Sequence, residues 1–535
     1  MTVDTRGLSE RIVQLPVPEA RYASLRAVEG GLAWLRVPLT GNLGVGGARP
    51  EDDHPRPALE YFAISPGRTT ELFGEVNWFT ASRDGSHLVV RDLGELLVVP
   101  ATRKADPDSP DDKVTVDLTR ARFLADPAAT WRPAYDEAGR AVRHDFWVPD
   151  MADVDWDGVL GQYRPLLDRI ATAGDFADLM HEVMGELGSS HAYVKGADAP
   201  EGTGLVAGLL GADLAPGPDG WRITRILPGE SSDPRARSPL AAPGTGISPG
   251  DLLVAVDGQA VDPVAGPGPL LVGAAGKPVE LTVVSAPGEA ARRGVVVPLA
   301  SDMRLRYQDW VIGRRRLVHE RGGGRIGYLH VPDMVSEGWS DFHRDLRGEM
   351  LREALIVDVR ANAGGHTSQL VIEKLARRVI GWDLPRGRTP VSYPVDAPRG
   401  PVIAIADENA GSDGDIVTAA IRSLGIGTVV GTRTWGGVIG IEDWHELIDG
   451  TKITIPKYSF WFSQFGWGVE NYGVDPDVEV VVSPDDWAAG TDAQLDRALE
   501  LALQGLAERP AAAPPTTHGR PSRRRPPLPP RAASR

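Results

Sequence analysis

A serine at the start of a predicted helix is the first residue whose type and position would suit a nucleophile. Ser412 lies in the segment 408–415, directly after the apolar run 402–406, which predicts a buried parallel strand. The amides and the positive end of the helix predicted over 412–424 would stabilise an oxyanion beside this hydroxyl. Alternatively, Ser412 merely caps its helix, as serine often does. The segment alone leaves both interpretations open.

A glycine-rich segment and a histidine would complete such a site. The segment Asn362-Ala363-Gly364-Gly365-His366 follows the apolar run 355–359, and glycine lets a backbone amide approach an oxyanion closely. We therefore expect a second oxyanion donor here, beside the amide of Asp413. His191 follows a predicted amphipathic helix that ends at Gly188, at a junction with a short strand where side chains can face a cleft. A histidine at a helix end more often has a structural role, so this position is suggestive only.

Composition narrows the classes of function. A chain of 535 residues predicts three or four domains. The net charge of −16 and the pI of about 5.2 argue against partners such as nucleic acid or an anionic membrane. The absence of cysteine excludes disulfides, thiolate zinc sites and cysteine nucleophiles. A polar N-terminus and the lack of any long apolar run predict a cytoplasmic protein without a membrane span.

The first half of the sequence predicts three regions. Residues 1–120 contain short apolar runs separated by turns, enough for about two blades of a partial β-propeller, although a small sandwich would give the same pattern. Residues 121–203 predict a helical domain that carries Ser190 and His191. Residues 204–300 resemble a PDZ domain, on the strength of the loop 208–211 and the strand, turn and strand over 250–258. PDZ domains bind peptide C-termini; a structural β-barrel spacer is the alternative.

The second half predicts an α/β catalytic domain over 301–508, because apolar strands alternate with helices there. Beyond it, residues 509–535 are rich in proline and arginine and predict a disordered tail with a polyproline-like segment at 525–531. The predicted fold class is therefore a multidomain α/β plus all-β protein.

Four motifs in the same chain order carry a resemblance to a known family. They are the segments 185–193 (GELGSSHAY), 358–365 (DVRANAGG), 411–415 (GSDGD) and 469–477 (VENYGVDPD). From about residue 120 to 508 the chain resembles the C-terminal half of a tricorn protease. Such proteins place propellers before a helical domain, a PDZ domain and a crotonase-like α/β catalytic domain. The regions predicted here follow that order, with a shortened propeller region.

The resemblance implies a serine peptidase without a metal or cofactor. The family's catalytic tetrad falls on Ser190, His191, Ser412 and Glu470, and its oxyanion amides fall on Gly365 and Asp413. His191 would act as general base for Ser412, and Ser190, held by Glu470, would orient the imidazole as a triad aspartate does. The implied activity is endopeptidase or oligopeptidase hydrolysis of short peptides in intracellular protein breakdown.

Two other peptidase mechanisms fit the sequence poorly. The related C-terminal processing peptidases use a Ser-Lys dyad, but Gly437 stands here where their lysine would be. A metallopeptidase helix needs a second histidine one turn after a His-Glu pair, and His181-Glu182 has none. The sequence therefore favours the histidine-based scheme.

The resemblance also suggests partners. Asp383 matches the acidic residue that lines the family's S1 pocket from a neighbouring subunit, which implies a preference for Arg or Lys before the scissile bond; the alternative is a surface ion pair with Arg386 or Arg388. The expected assembly is a homo-oligomer, with a hexamer as the candidate size, and downstream aminopeptidases are candidate partners. The alternative function is a noncatalytic PDZ peptide-binding scaffold derived from a truncated tricorn protease.

Overall fold

The structure is a computed structural model that describes residues 6–7, 13–38, 56–106, 109, 112–120, 126–197, 205–217, 220–230, 233, 235–286, 288–518 and 520–525. It contains two compact units, residues 1–126 and 127–535. The predicted polyproline-like segment lies outside the described residues except for Arg525. No helix in the described ranges combines the length and the apolar character needed to cross a membrane.

The first unit contains two antiparallel four-stranded meanders, in the orders β1-β2-β3-β4 and β5-β6-β7-β8. Both sheets contribute to one apolar core, which includes Leu59, Phe79 and Leu88. The predicted turn at 83–86 joins β5 to β6. The strands are β1 (Arg21–Val28), β2 (Gly31–Val37), β3 (Ala58–Ala63), β4 (Arg68–Phe73), β5 (Trp78–Ala81), β6 (His87–Asp92), β7 (Glu95–Pro100) and β8 (Val114–Val116).

The second unit begins with three helices around a core that includes Trp131, Trp156 and Phe176. Leu447 and Ile453, from much later in the chain, complete this core, so the helices are packed against the region that follows the candidate nucleophile. The last helix starts with a capping box between Thr172 and Asp175 and ends at Gly185, three residues before the predicted end at Gly188. The elements are α1 (Pro127–Asp145), α2 (Trp156–Tyr163), α3 (Ala173–Gly185) and β9 (Val194–Lys195).

The PDZ region is a β-sheet in the order β10-β11-β12-β14-β15, with β13 paired to β12. The predicted strand, turn and strand over 250–258 correspond to β12, a turn at Asp257 and Gly258, and β13. Its core includes Ile223, Leu253 and Leu281. The strands are β10 (Ala212–Gly217), β11 (Gly220–Ile226), β12 (Leu252–Val256), β13 (Gln259–Ala260), β14 (Val279–Val284) and β15 (Arg292–Val296).

The catalytic region is built on a parallel sheet in the order β16-β17-β20-β21-β24. Its central strands are buried and have separate apolar cores on the two faces. The elements are α4 (Met303–Arg321), β16 (Ile326–His330), α5 (Ser336–Glu349), β17 (Ala354–Asp358), α6 (Ser368–Leu375), β18 (Gly381–Asp383), β19 (Val391–Tyr393), β20 (Val402–Ala406), α7 (Asp413–Ser423), β21 (Thr428–Gly431), β22 (His445–Glu446), β23 (Lys452–Ile453), β24 (Val478–Glu479), α8 (Pro484–Ala489) and α9 (Ala493–Glu508).

The beginning of the predicted tail is attached to this region. Ala512 exchanges two hydrogen bonds with Arg399, and Ala511 packs against the core that contains α9. The prediction of disorder from residue 509 onward is therefore wrong for these first residues, because backbone pairing and a small apolar contact hold them.

Candidate active site

Three of the predicted site residues form one chain of hydrogen bonds. The Ser190 hydroxyl donates to Glu470 Oε2 over 3.1 Å, and Ser190 Oγ lies 2.9 Å from His191 Nδ1. Because that hydroxyl proton is directed at the carboxylate, the hydrogen of the imidazole is assigned to Nδ1, which donates to Ser190. Glu470 also accepts amide hydrogens from Ser190, Val438 and Ile439 at 2.7, 2.7 and 3.0 Å. Nε2 is left as the unprotonated nitrogen of His191.

Pairing between distant segments holds this histidine. Strand β9, just after His191, pairs with β23 in a three-stranded sheet. Thr454 Oγ1 donates to the His191 carbonyl over 2.5 Å and accepts from the Tyr193 amide over 2.8 Å. Asn471 Nδ2 donates to the carbonyl of Gly188 over 2.6 Å. The helical domain therefore delivers the histidine, and the catalytic region fixes its backbone on both sides.

The surroundings of His191 favour its neutral form. The residue is 9% exposed, and this burial lowers the pKa of its imidazole, while the nearby charge of Glu470 partly raises the pKa again. The rings of Tyr193 and Trp435 stand edge-on to the imidazole, with centroids 5.6 and 5.5 Å away. A net lowering of the pKa leaves the imidazole able to accept a proton at neutral pH.

Ser412 has a strained backbone and does not cap its helix. Its φ is 56° and its ψ −117°, and α7 has no side-chain cap hydrogen bond at its N-terminus. The alternative that this hydroxyl merely caps α7 is therefore wrong. Positive φ in a residue other than glycine costs energy and is found mainly at functional sites. Gly364, at φ 78°, packs so closely that an added Cβ would lie 2.5 Å from Ser412 Cβ and 3.1 Å from its Oγ.

The two predicted oxyanion amides flank this serine. Gly365 follows β17 and pairs with Met334 through a parallel bridge, and Asp413 is the first residue of α7. Neither amide donates a hydrogen bond to another described residue. The Asp413 side chain accepts from the amide and hydroxyl of Ser368 at 3.0 and 2.9 Å, which ties α7 to the start of α6. Two backbone donors at the ends of adjacent strands are suited to hold a developing negative charge.

A buried carboxylate orders the loop that faces the serine. Asp415 is fully buried and accepts hydrogen bonds from the Thr434 hydroxyl and from the amides of Gly436 and Gly437, the latter two at 2.8 and 3.1 Å. Burial raises the pKa of this carboxyl, and its hydrogen bonds partly lower the pKa again. Gly437, at the position of the lysine in Ser-Lys peptidases, thus supplies an amide that helps to hold Trp435 beside His191.

Ser412 and His191 face the same two cavities. One, of about 520 Å³, is also lined by Gly365 and Asp413; the other, of about 260 Å³, is also lined by Glu408 and Trp435. No hydrogen bond between Ser412 and His191 is formed among the described residues, and such contacts commonly tighten only when substrate binds. The structure thus brings together all the residues predicted for the tetrad and the oxyanion hole: Ser412, His191, Ser190, Glu470, Gly365 and Asp413.

Comparison with known proteins shows which family shares these domains and this chain order. The chain matches the Tricorn protease C1 domain over residues 127–185, the Tricorn protease PDZ domain over 208–301 and Peptidase family S41 over 325–480. It is 59% identical to Tricorn protease homolog 1 of Streptomyces coelicolor, across 96% of this chain and 48% of that protein. The crystal structure of the tricorn protease superposes with a TM-score of 0.81 at 33% identity, covering 91% of this chain and 46% of that one. The chain belongs to the tricorn protease family.

A more distant relative extends over the same part. The chain is 34% identical to the Tricorn protease homolog of Saccharolobus solfataricus, across 94% of this chain and 46% of that protein. The chain thus spans about half the length of the curated relatives it matches. The matches confirm the predicted fold class, with its β-sheet blades, PDZ domain and tricorn-type catalytic region.

Asp383 lies away from the site within a single chain. It is the last residue of β18, where it pairs with Val391 of β19, and its side chain is exposed. It lines neither of the two cavities at Ser412, and it forms no ion pair with Arg386 or Arg388 in the described structure. The alternative of a surface ion pair with Arg386 or Arg388 therefore has no contact in the described structure, and the S1-pocket role, which needs a neighbouring subunit, stays a prediction.

The loop predicted to bind peptide carboxylates in the tricorn PDZ domain has other partners. The amides of Gly208 and Leu209 donate to the carbonyls of Leu271 and Leu299, each over 2.8 Å. An added Cβ on Gly208 would lie 2.6 Å from Pro298. These two amides are already bonded inside the domain and are therefore not available to a peptide carboxylate.

The residues that position the tricorn-type site were not all predicted. Asp415 and Asn362 stand inside the quoted motifs without an assigned role; Asn362 is fully buried, donates to the Val331 carbonyl over 2.7 Å and accepts from the Gly364 amide over 2.9 Å. Aspartate and asparagine beside glycine are a usable signal for such turns. Thr454 and Trp435 have no comparable signal, because their contacts with the histidine depend on the fold.

Proposed function

We propose that this chain is a serine peptidase that hydrolyses short peptides. Ser412 is the nucleophile, His191 the general base, and Ser190 and Glu470 are positioning residues that hold the imidazole. The amides of Gly365 and Asp413 form the oxyanion hole. The observation that carries the proposal is the hydrogen-bonded series from Glu470 through Ser190 to His191, which ends in the cavities lined by a backbone-strained Ser412.

The proposed reaction proceeds in two halves. Ser412 Oγ attacks the peptide carbonyl while its proton passes to His191 Nε2, and the two amides stabilise the oxyanion. The imidazolium then gives its proton to the leaving amine, and an acyl-enzyme remains. Water then attacks the ester while His191 takes its proton, the bond between the acyl carbon and Ser412 Oγ breaks, the imidazolium returns the proton to Oγ, and the peptide acid is released. Glu470 stabilises the imidazolium through Ser190, whose hydroxyl can accept from Nδ1 while donating to the carboxylate.

The proposal has finer parts that depend on the family resemblance. Asp383, supplied by a neighbouring copy of the chain, would select Arg or Lys before the scissile bond. This requires a homo-oligomer, with a hexamer as the candidate size. Release of short products would suit downstream aminopeptidases, and the expected location is the cytoplasm. Replacing Asp383 with Asn should depress cleavage after Arg and Lys far more than cleavage after Leu or Phe, and equal losses in both classes would remove Asp383 from the site.

The test of the activity is direct. A mixture of synthetic peptides of about six to twelve residues is incubated with the purified full chain, and the products are identified by mass spectrometry. The Ser412→Ala chain is the matched control. Cleavage by the wild-type chain alone supports the peptidase. A folded wild-type chain that binds peptides without cleaving them would instead support the noncatalytic scaffold.

A further inference from the structure

A large cavity adjoins the candidate active site and has no role in the proposed chemistry. It measures about 650 Å³ and lies at the carboxyl ends of the parallel strands, where ligands of open α/β sheets commonly bind. Its lining includes Glu408 and Asn409, and these two residues also line the smaller cavity that contains Ser412 and His191. The large cavity therefore shares a wall with the candidate nucleophile's own cavity.

Aromatic side chains line one side of this cavity, and packing and hydrogen bonds fix some of them. Trp310 of α4 packs edge-on against His330, with ring centroids 4.9 Å apart. His330 Nε2 donates to the Arg360 carbonyl over 3.1 Å, and its Nδ1 accepts from the Tyr307 hydroxyl over 2.9 Å. Burial lowers the pKa of His330, so this ring stays neutral and acts as a support. A second indole, Trp487 of α8, is 82% exposed at the cavity.

A hydrogen-bond donor in the same wall lacks an acceptor. Arg314 lies over Trp310, with its guanidinium carbon 5.6 Å from the ring centre. Its Nε is buried and has no hydrogen-bond partner in the described structure, although Asp492 lies 3.5 Å away as an ion-pair partner. Asp492 already accepts two hydrogen bonds from Arg360 at 2.9 and 3.1 Å. The buried Nε is out of reach of a ligand, but 28% of the Arg314 side chain is exposed and it lines the cavity, so the rest of its guanidinium group can donate to a ligand oxygen.

Two carboxylates, Asp407 and Glu408, lie on the side of the large cavity that is next to the active site, and Glu408 also lines the smaller cavity. Asp407 accepts from the amides of Ala361 and Asn409 at 2.8 and 3.2 Å, and Glu408 accepts from the Thr432 hydroxyl at 2.6 Å. Neither carboxylate pairs with a cationic side chain among the described residues. Two carboxylates without a cationic partner would repel a phosphate group on this side of the cavity, which favours a peptide over a nucleotide as the ligand. A peptide has both an apolar side chain and carbonyl oxygens without that charge.

We propose that this cavity is a remote substrate subsite, which binds an aromatic residue of the peptide against Trp310 and Trp487 while Arg314 donates to an oxygen of the same segment. The inference rests on the proposed peptidase function and extends it to specificity. Peptides with an aromatic residue at the register that reaches this cavity are bound more tightly than peptides with alanine there. An acidic peptide residue next to Asp407 and Glu408 is disfavoured.

The test uses binding, so that it does not depend on turnover. Fluorescein-labelled peptides, in which a single Phe is moved through an alanine-rich sequence, are titrated into the Ser412→Ala chain and followed by anisotropy. The peptide with Phe at one particular position should bind more tightly than the other peptides. For that register, Trp310→Ala and Trp487→Ala in the same background should raise Kd about five- to tenfold, since stacked aromatic pairs contribute beyond simple burial. Arg314→Lys, which replaces the planar guanidinium group but keeps the charge, should raise Kd by a smaller factor.

Matched controls separate the subsite from general damage. Trp78→Ala removes an exposed indole in the first unit, and Arg316→Lys alters an exposed cation on α4; both should leave Kd unchanged. Trp487 is 82% exposed, so we expect its loss to leave the fold intact, and melting curves check this for both tryptophan variants. In turnover by the wild-type background, Trp310→Ala should raise KM for the Phe peptide without lowering kcat.

The outcomes distinguish this inference from the proposed function. Register-specific binding that depends on Trp310 and Trp487, together with a wild-type chain that cleaves nothing, would leave the subsite standing and remove the peptidase. Cleavage with no register preference, or equal losses for Phe and alanine peptides in the tryptophan variants, would overturn the subsite and leave the peptidase intact.

Discussion

The two halves of the candidate active site are held in different ways. The histidine half, residues 188–193 with Glu470, is fixed by side-chain hydrogen bonds from segments far apart in the sequence. The serine half, residues 362–365 with 411–415, depends on backbone conformation: Ser412 and Gly364 both have positive φ, and Gly364 packs directly against Ser412. In the proposed mechanism, the histidine half sets the protonation state of the base, and the serine half sets the position of the attacking oxygen.

This contrast predicts different responses to substitution. Changes in the histidine half should alter the pH dependence of turnover as well as its rate, because they act on the proton-accepting nitrogen. Changes in the serine half should reduce the rate at every pH, because they displace Oγ from the carbonyl and from the oxyanion amides.

The largest effect is expected where the two halves meet. Ser412→Ala and His191→Ala should each reduce kcat by about 10⁴-fold or more, because both belong to one proton-transfer unit. The double variant should be about as slow as either single variant. A double variant whose loss equalled the product of the single losses would show that the two residues act independently.

Gly364→Ala should displace Ser412 and leave the histidine half of the site unchanged. The added methyl would lie 2.5 Å from Ser412 Cβ at a φ of 78°, so Oγ must move, and we expect kcat to fall by about 100-fold with an unchanged pH profile. Gly348→Ala, at a helical glycine with open space around it, is the matched control and should be neutral. Near-normal kcat in a folded Gly364→Ala chain would mean that the close packing against Ser412 has no catalytic consequence.

Glu470→Gln should weaken the histidine half without abolishing it. Glu470 acts through Ser190, and its carboxylate accepts from amides that a glutamine amide group cannot fully satisfy, so we expect about a tenfold lower kcat. Its charge also raises the pKa of His191, so its removal should move the acid limb of the rate profile to lower pH. Glu446→Gln, an exposed change on β22, is the control. If the acid limb of the rate profile did not move, Glu470 would have only a structural role.

The smallest effect is a displacement of the wild-type pH profile. Burial lowers the pKa of His191 from 6.5, and a base with a lowered pKa is neutral at lower pH. Turnover should therefore rise with pH through a midpoint below about 6.5 and be level from there to pH 8. Initial rates under kcat/KM conditions measure this midpoint. A midpoint above 7 would show that Glu470 outweighs burial.

The residue types of the site could be predicted from sequence, but their support could not. Ser412, His191 and the glycine pair are recognisable through the four motifs taken together, because each of them alone also has a structural interpretation. Thr454 contacts His191 across 263 positions, a pairing that no local pattern encodes. Strand β4, Arg68–Phe73, could not be predicted from short apolar runs, because its mostly polar residues give no alternating apolar pattern. Helix α3 ends at Gly185, before the predicted end at Gly188. The carbonyl of Gly188 instead accepts a hydrogen bond from Asn471 Nδ2.

Covalent labelling of Ser412 tests the central claim most directly. The intact chain is treated with a fluorophosphonate at pH 7.5, digested and mapped by mass spectrometry, with the His191→Ala chain treated in parallel. A neutral imidazole beside an otherwise unbonded hydroxyl predicts one adduct, on the peptide that contains Ser412, which is lost or strongly slowed without His191. A folded chain that gains no adduct, or an adduct at Ser412 that forms equally fast without His191, would contradict a serine nucleophile activated by this histidine.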